Sequence, residues 1–238
     1  METVLVVGAT GHIGTSAVIA ALRSKRNVLA VVRNQASAEK LFQNVGSRDG
    51  ITTVETNILS EQGIQSVVDQ VKAGKLPSFQ HVYAAAGGLY EATPLHKLSK
   101  EELHQNMNTS FETNFFAYRA TIPYLLEQND SRSTWTLCTG AAGDLGMRAA
   151  PALTQGALYS MATVACRDNE QTNVRFNEVY LALRVEVDSS AERTGAAKAS
   201  DFARSYETIL ARPDIRSSRI SVRNQRDFTD LLHAKKAY

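Results

Sequence analysis

The sequence predicts an α/β fold: a doubly wound parallel sheet of about seven strands with helices on both faces. Short apolar, β-branched runs alternate along the chain with longer amphipathic stretches. The first such run, Val4 to Val7, passes at once into a turn with three evenly spaced glycines, Gly8, Gly11 and Gly14. Of 238 residues 43% are hydrophobic and 21% charged, the balance of a soluble globular protein rather than a disordered, fibrous or membrane one.

Strands are expected at Val4 to Val7, Val28 to Val32, Ile51 to Val54, His81 to Ala84, Trp135 to Cys138, Val174 to Leu181 and Arg219 to Val222. Helical patterns fill the intervals, and right-handed crossovers between such strands build a parallel sheet covered on both sides. The longest helical pattern runs from Lys100 to Gln128. It opens at Ser99, with Glu101 and Glu102 in its first turn where they complement the helix dipole, and Pro123 is expected to bend it. A second long helix is expected from Thr154 to Arg167. The small-residue stretch Ser189 to Ser200 is too short to separate domains and reads as a surface loop, so residues 1–238 are expected to form one domain.

With 26 basic and 24 acidic residues the formal charge is +2, which gives no broad field for a nucleic-acid backbone or an anionic membrane. No run of 18 apolar residues is present to span a bilayer. A small-molecule partner is therefore expected, without nucleic acid or membrane. Cys138 and Cys166 are too few for a disulfide framework and read as buried thiols in a reducing compartment. The first apolar run turns into glycines rather than forming an export signal, so a cytoplasmic location is expected. His81 and His96 lack metal-ligand spacing, and no metal site is expected.

The turn Gly8-Ala9-Thr10-Gly11-His12-Ile13-Gly14 lies between a strand and a helix, the placement that makes a Rossmann dinucleotide site. Gly8 allows the tight turn, Gly11 lets backbone approach a pyrophosphate, and Gly14 permits close helix packing. Unpaired amides at the helix start then face the phosphates. The competing reading is a structural glycine turn. NAD-selective sites carry a carboxylate at the end of the second strand, to receive the ribose hydroxyls. Here that strand ends Val31-Val32-Arg33-Asn34, and the Arg33 guanidinium suits a 2′-phosphate. NADP(H) is therefore expected over NAD(H), unless Arg33 is simply a solvated surface side chain.

At these landmarks the chain resembles the short-chain dehydrogenase/reductase family over almost its whole length. Asn57-Ile58 follows the third strand where the family places an acidic and an apolar residue beside the adenine. Ala84-Ala85-Ala86-Gly87 is similar to the family's Asn-Asn-Ala-Gly turn. Met107 to Leu126 resembles the segment with the active-site asparagine, which puts that role on Asn114. Thr136 to Gly140 resembles the fifth strand with its terminal serines, and Arg175-Phe176-Asn177 the Arg-Val-Asn of the sixth. The helix at Ser200 to Leu210 and the strand at Ser218 to Val222 also have family counterparts. The resemblance implies a homodimer or homotetramer packed through the two long helices.

The family's tyrosine acid and the lysine four residues later do not have their expected residues here. Counting back from Arg175-Phe176-Asn177 places the lysine at Gln155, the tyrosine at Pro151, and the serine pair at Thr139 and Gly140. Thr139 then remains as a substitute hydroxyl beside Asn114. A competing alignment takes Tyr159 as the acid, but Thr163 follows four residues later and the interval to the sixth strand becomes short. Under the first alignment Tyr159 lies one turn beyond Gln155 on the same helix face, lining the pocket or packing. The Pro-Gly expected after the sixth strand is replaced by Leu181-Ala182. A glutamine cannot lower a neighbouring pKa by charge, and proline has no proton to give.

The loop Ala141 to Ala150 overhangs the strand ends and offers Asp144 as acid or base and Arg148 as an oxyanion or anion partner, against the plain reading of a surface salt bridge. Arg184 and Glu186 border the same region. Three functions remain open. The leading one is an atypical NADP(H)-dependent oxidoreductase, reducing a carbonyl or an imine or iminium of a secondary metabolite with a non-tyrosine proton source. The others are a non-redox cyclase, isomerase or dehydratase with a vestigial or structural dinucleotide, and an inactive nucleotide-sensing regulator.

Overall fold

The computed structural model of the chain describes residues 1–88 and 91–237. Its strands are β1 (Thr3–Val7), β2 (Asn27–Val32), β3 (Ile51–Glu55), β4 (His81–Ala84), β5 (Thr134–Gly140), β6 (Arg175–Leu181), β7 (Val185–Glu186), β8 (Ala197–Lys198), β9 (Ser218–Val222) and β10 (His233–Lys235). Its helices are α1 (His12–Arg23), α2 (Gln35–Val45), α3 (Gly63–Lys72), α4 (Lys100–Asn106), α5 (Thr113–Gln128), α6 (Ala142–Leu145), α7 (Ala149–Asp168), α8 (Asp188–Thr194), α9 (Ala199–Ala211) and α10 (Asp227–Asp230).

The main sheet has the order β10-β9-β6-β5-β4-β1-β2-β3. Every pairing in it is parallel except that of β10 with β9. The order reverses between β1 and β4, the switch point outside which doubly wound sheets place their ligands. All five residues of β1 are buried, as a strand covered on both faces requires. Val4 and Val6 join the core under α1, α2 and α9, whereas Leu5 and Val7 join the core under α3, α5 and α7.

Four local expectations are corrected. The stretch read as a surface loop, Ser189 to Ser200, holds most of α8 and all of β8, which pairs with β7. Its hydroxyls explain this: Ser190 and Thr194 both donate to the Glu186 carboxylate, at 2.7 and 2.8 Å, and so fasten the helix to β7. The sheet has an eighth strand, β10, whose charged edge residues give no apolar alternation. The long helix is broken by a π-helical turn at Met107–Glu112, while Pro123 sits inside α5. Finally, α7 starts at Ala149, five residues earlier than Thr154. Pro151 lies in its first turn, where an absent N–H leaves no helical bond unmade.

Both cysteines are free thiols; Cys166 is buried, but Cys138 is only half-buried, short of the burial expected for it. No helix among the described residues is long and apolar enough to cross a membrane.

At the opposite end of the sheet, His81 is 1% exposed, with Nδ1 3.0 Å from Thr134 Oγ1 and Nε2 3.2 Å from Glu2 Oε2. Burial pushes its pKa down from 6.5 to about 4, against the pull of Glu2. The unfolded chain takes up a proton near pH 6.5 that the folded chain refuses until near pH 4, so stability is full above this window and falls as pH drops through it. Denaturant titrations across the window should show a loss of up to about 3 kcal/mol from this group, and the loss should shrink in His81→Gln. An unchanged slope in that variant would remove His81 as the cause.

Candidate functional site

The glycine turn closes against its neighbours at atomic contact. Gly8 has φ +84°, and a Cβ there would lie 2.9 Å from Ala85 O; one at Gly14 would lie 2.0 Å from Gly8 O. These contacts let α1 begin directly above the end of β1. Gly11, in extended conformation, is the N-cap of α1, and no side chain caps it. The amides of His12, Ile13 and Gly14 therefore open toward the switch point, where an anion meets both donors and the positive end of the helix dipole. Thr10 is half-buried beside them, and Ile13 packs against the core. His12 has a second task, because its Nδ1 accepts the Val187 N–H at 3.0 Å and so ties the glycine turn to the segment leading into α8.

Arg33 follows β2 as an exposed side chain with no hydrogen-bond or ion-pair partner among the described residues. Asn34 caps α2 by accepting the Ser37 N–H at 2.9 Å, which leaves Arg33 as the cation at this rim. Asn57 accepts the Leu59 N–H at 3.1 Å and Ile58 packs on the core. Ala85, Ala86 and Gly87 continue from β4, with Gly87 and Gly88 at positive φ. An uncapped helix start, a backbone turn without side-chain bulk and a guanidinium without a partner among the described residues at the second strand fit a nicotinamide dinucleotide.

The helices supply side chains to two backbone positions at the ends of β4 and β5. Asn114, fully buried just after the π-helical turn, accepts the Ala86 N–H at 3.3 Å and donates to Ala86 O at 2.9 Å and to Ser110 O. On α7, Gln155 Oε1 accepts the Gly140 N–H at 2.6 Å, and the Tyr159 hydroxyl donates to Gly140 O at 2.5 Å. Burial raises the Tyr159 pKa, Asp144 and Tyr180 raise it further, and Arg219 only partly opposes them. Tyr159 is thus a neutral phenol whose proton points into the backbone. The Thr139 hydroxyl donates to Glu178 Oε1 at 2.8 Å.

Glu178 carries no signal in a motif, but a carboxylate between Phe176 and Val179 in a strand read as buried marks a position that needs partners. It is completely buried. Arg219 meets it through Nε at 2.9 Å and Nη2 at 3.1 Å, and Lys236 Nζ at 2.6 Å. Arg219 also lies 4.8 Å from the centre of the Tyr159 ring and 5.0 Å from that of Tyr180. Asp144 is exposed, and its carboxylate, after burial, raises the pKa of the neighbouring Tyr180 hydroxyl. Arg148 is exposed at the start of α7 and has no ion-pair partner among the described residues. Arg184 and Glu186 pair with each other, and the Ser190 and Thr194 hydroxyls hold the Glu186 pKa down to about 2. The structure therefore gathers Thr139, Asp144, Gln155 and Tyr159 around Gly140, sets Asn114 on Ala86, and leaves Arg148 outside on the rim.

Residues 2–194 match the short chain dehydrogenase family. The short-chain dehydrogenase/reductase iacG of Pestalotiopsis fici is 58% identical over 242 aligned positions, which take in 100% of this chain and 97% of the relative. Among solved structures, a short-chain type dehydrogenase/reductase from Mycobacterium ulcerans superposes with a TM-score of 0.79 at 19% identity, covering 94% of this chain and 89% of that one. ElxO, solved with NADP bound, superposes with a TM-score of 0.77 at 14% identity over 90% and 93% of the two chains. At such identities these two share the fold.

Two substitutions test the Gly140 corner by thermal unfolding. Tyr159→Phe removes one hydrogen bond and should cost about 1–2 kcal/mol. Gly143→Ala should cost more, because its Cβ would lie 2.6 Å from the Tyr159 ring and 3.0 Å from Gly156 N. Two variants that melt with the parent protein would refute the clamp.

Proposed function

This chain belongs to the short-chain dehydrogenase/reductase family, and on that premise we propose that it is an NADP(H)-dependent oxidoreductase with a non-standard active site. Its substrate in this reading is a carbonyl, or an imine or iminium, of a secondary metabolite. The observation that carries it is the Gly140 corner. Gln155, at the family's lysine position when its acid position falls on Pro151, and Tyr159, the acid of the competing alignment, are both bonded to backbone.

When bound, the nicotinamide supplies a hydride to an electrophilic carbon. The chain's own residues hold the dinucleotide through the amides of His12, Ile13 and Gly14, with Arg33 toward the 2′-phosphate. Asn114, Gln155 and Tyr159 fix the backbone that floors the reacting position. Tyr159 does not deliver a proton, since its hydroxyl is directed at Gly140 O and its pKa is raised. An iminium carbon accepts hydride to give a neutral amine without any proton, which suits such a site. A ketone would leave an alkoxide that needs one from water, because Asp144 is exposed rather than buried. The NADP-bound fold neighbour supports the choice of cofactor. Exposed apolar side chains on the two long helices, Phe115 and Leu126 on α5 and Val164 on α7, support a homo-oligomer packed through those helices.

Calorimetry with NADPH and NADH tests the cofactor. NADPH should bind more tightly, and Arg33→Ala should weaken NADPH at least about ten-fold, the scale of a charge-assisted phosphate contact, while leaving NADH unchanged. Equal affinities in the parent protein would sink the assignment. Absorbance of the nicotinamide is then followed with cyclic imines and ketones. Oxidation of NADPH with imine turnover supports the reading. Conversion of a substrate to its isomer without NADPH consumption replaces it with a non-redox cyclase or isomerase.

A further inference from the structure

A cavity of about 440 Å³ opens between the segment after β4 and the loop after β5. It lies at the carboxyl ends of the strands, the side on which doubly wound sheets receive ligands. Thr93, Pro94 and Leu95 form one wall. Gly143, Gly146, Met147, Ala149, Ala152 and Leu153 form the other, and among the described residues Arg148 supplies the one charge in the lining. Three of the apolar side chains stand in water, Leu95 at 67%, Met147 at 76% and Leu153 at 46% exposure. Isolated exposed apolar residues are ordinary, but several around one concavity mark a binding surface.

Arg148 has no ion-pair partner among the described residues, although each wall has an acidic residue close to it in sequence, Asp144 next to Gly143 and Glu91 two residues before Thr93. Asp144 is engaged with Tyr180, and Glu91 accepts from Asn106 at 3.3 Å. An unpaired guanidinium on an otherwise apolar rim is a fork of parallel donors without an acceptor. Gly143 stands both in the cavity wall and against the Tyr159 ring, so the cavity adjoins the Gly140 corner. The volume is that of a small-molecule site.

We propose that this cavity is the substrate subsite and that it selects an amphipathic anion: an apolar, ring-sized body against Leu95, Met147 and Leu153, with one carboxylate-like group paired to Arg148. The proposal rests on the oxidoreductase reading for the place of this molecule in the reaction. Its binding chemistry stands apart from that reading and is tested apart from it.

Two dyes serve as probes, anilinonaphthalene sulfonate and its uncharged counterpart phenylnaphthylamine, which share the aromatic body and differ in the anion. Both are titrated by fluorescence into the full-length protein, with and without saturating NADPH. NADPH binding is read separately by calorimetry, so failure of the cofactor reading is visible by itself. The sulfonate should bind about ten-fold more tightly than the neutral dye, the scale of one charge-assisted contact. Arg148→Met should abolish that preference while leaving the neutral dye unchanged, and Arg148→Lys should restore part of it. Leu153→Asp should weaken both dyes. An undiminished preference in Arg148→Met overturns the proposal, and so does failure of both dyes to bind, as a rim sealed by a second copy of the chain would give.

Discussion

The site depends on a hydrogen-bond ladder that opens. In a parallel sheet the N–H and C=O of one residue point to the same neighbouring strand and those of the next residue to the other. Ala84 is the last residue of β4 paired with β5, opposite Leu137, yet β5 runs on to Gly140. Ala85 donates to Val7 and Ala141 donates to Leu181. The backbone groups of Ala86 and Gly140 are thereby turned toward one another across a gap too wide for direct bonds. Buried backbone groups left without partners cost about as much as a lost hydrogen bond each. Asn114 supplies both partners at Ala86, and Gln155 with Tyr159 supplies them at Gly140.

A second constraint holds α7 from its other side. A carboxylate removed from water costs several kcal/mol unless donors surround it, and Glu178 receives Thr139, Arg219 and Lys236. Lys236 also donates to Tyr159 O at 3.1 Å, and Arg219 lies over the Tyr159 ring. Tyr159 is therefore fixed at its backbone, its ring and its hydroxyl. The antiparallel strand β10 brings Lys236 to this point, which gives that short, charged edge strand a physical purpose.

What the sequence disclosed was local. The alternation of apolar runs specifies the parallel strands because the central ones are buried on both faces, even though the edge strand β3 is not. The glycine spacing specifies the turn because only glycine fits at Gly8 and Gly14, where a Cβ would strike backbone. The resemblance also located Asn114, Gln155 and Tyr159, three residues that meet the strand ends. Their bonds were not legible, because each joins residues at least 15 positions apart and follows from where two strands diverge. The same blindness turned α8 into a loop, since Ser190 and Thr194 are helical through Glu186 rather than through their own propensity. Glu178 stood in plain view as a charge in an apolar strand, but its partners Arg219 and Lys236 come from the far end of the chain.

Side chains that complete a backbone ladder are poor proton carriers. To release its proton, Tyr159 would have to abandon Gly140 O and leave a negative charge in a partly buried place beside Asp144; burial first, and then Asp144, raises its pKa. Gln155 has no proton of useful acidity. A corner built in this way serves as a rigid floor: it positions backbone and leaves electrostatic work to groups that remain free. Arg33 stands free at the nucleotide rim and Arg148 at the cavity rim, and both are guanidinium groups. Under the proposed reading the chain contributes position and positive charge, drawing anionic groups to both ends of the cleft. Such a division of labour favours reactions whose reacting carbon is already electrophilic, because the protein then has only to hold it still beside the nucleotide.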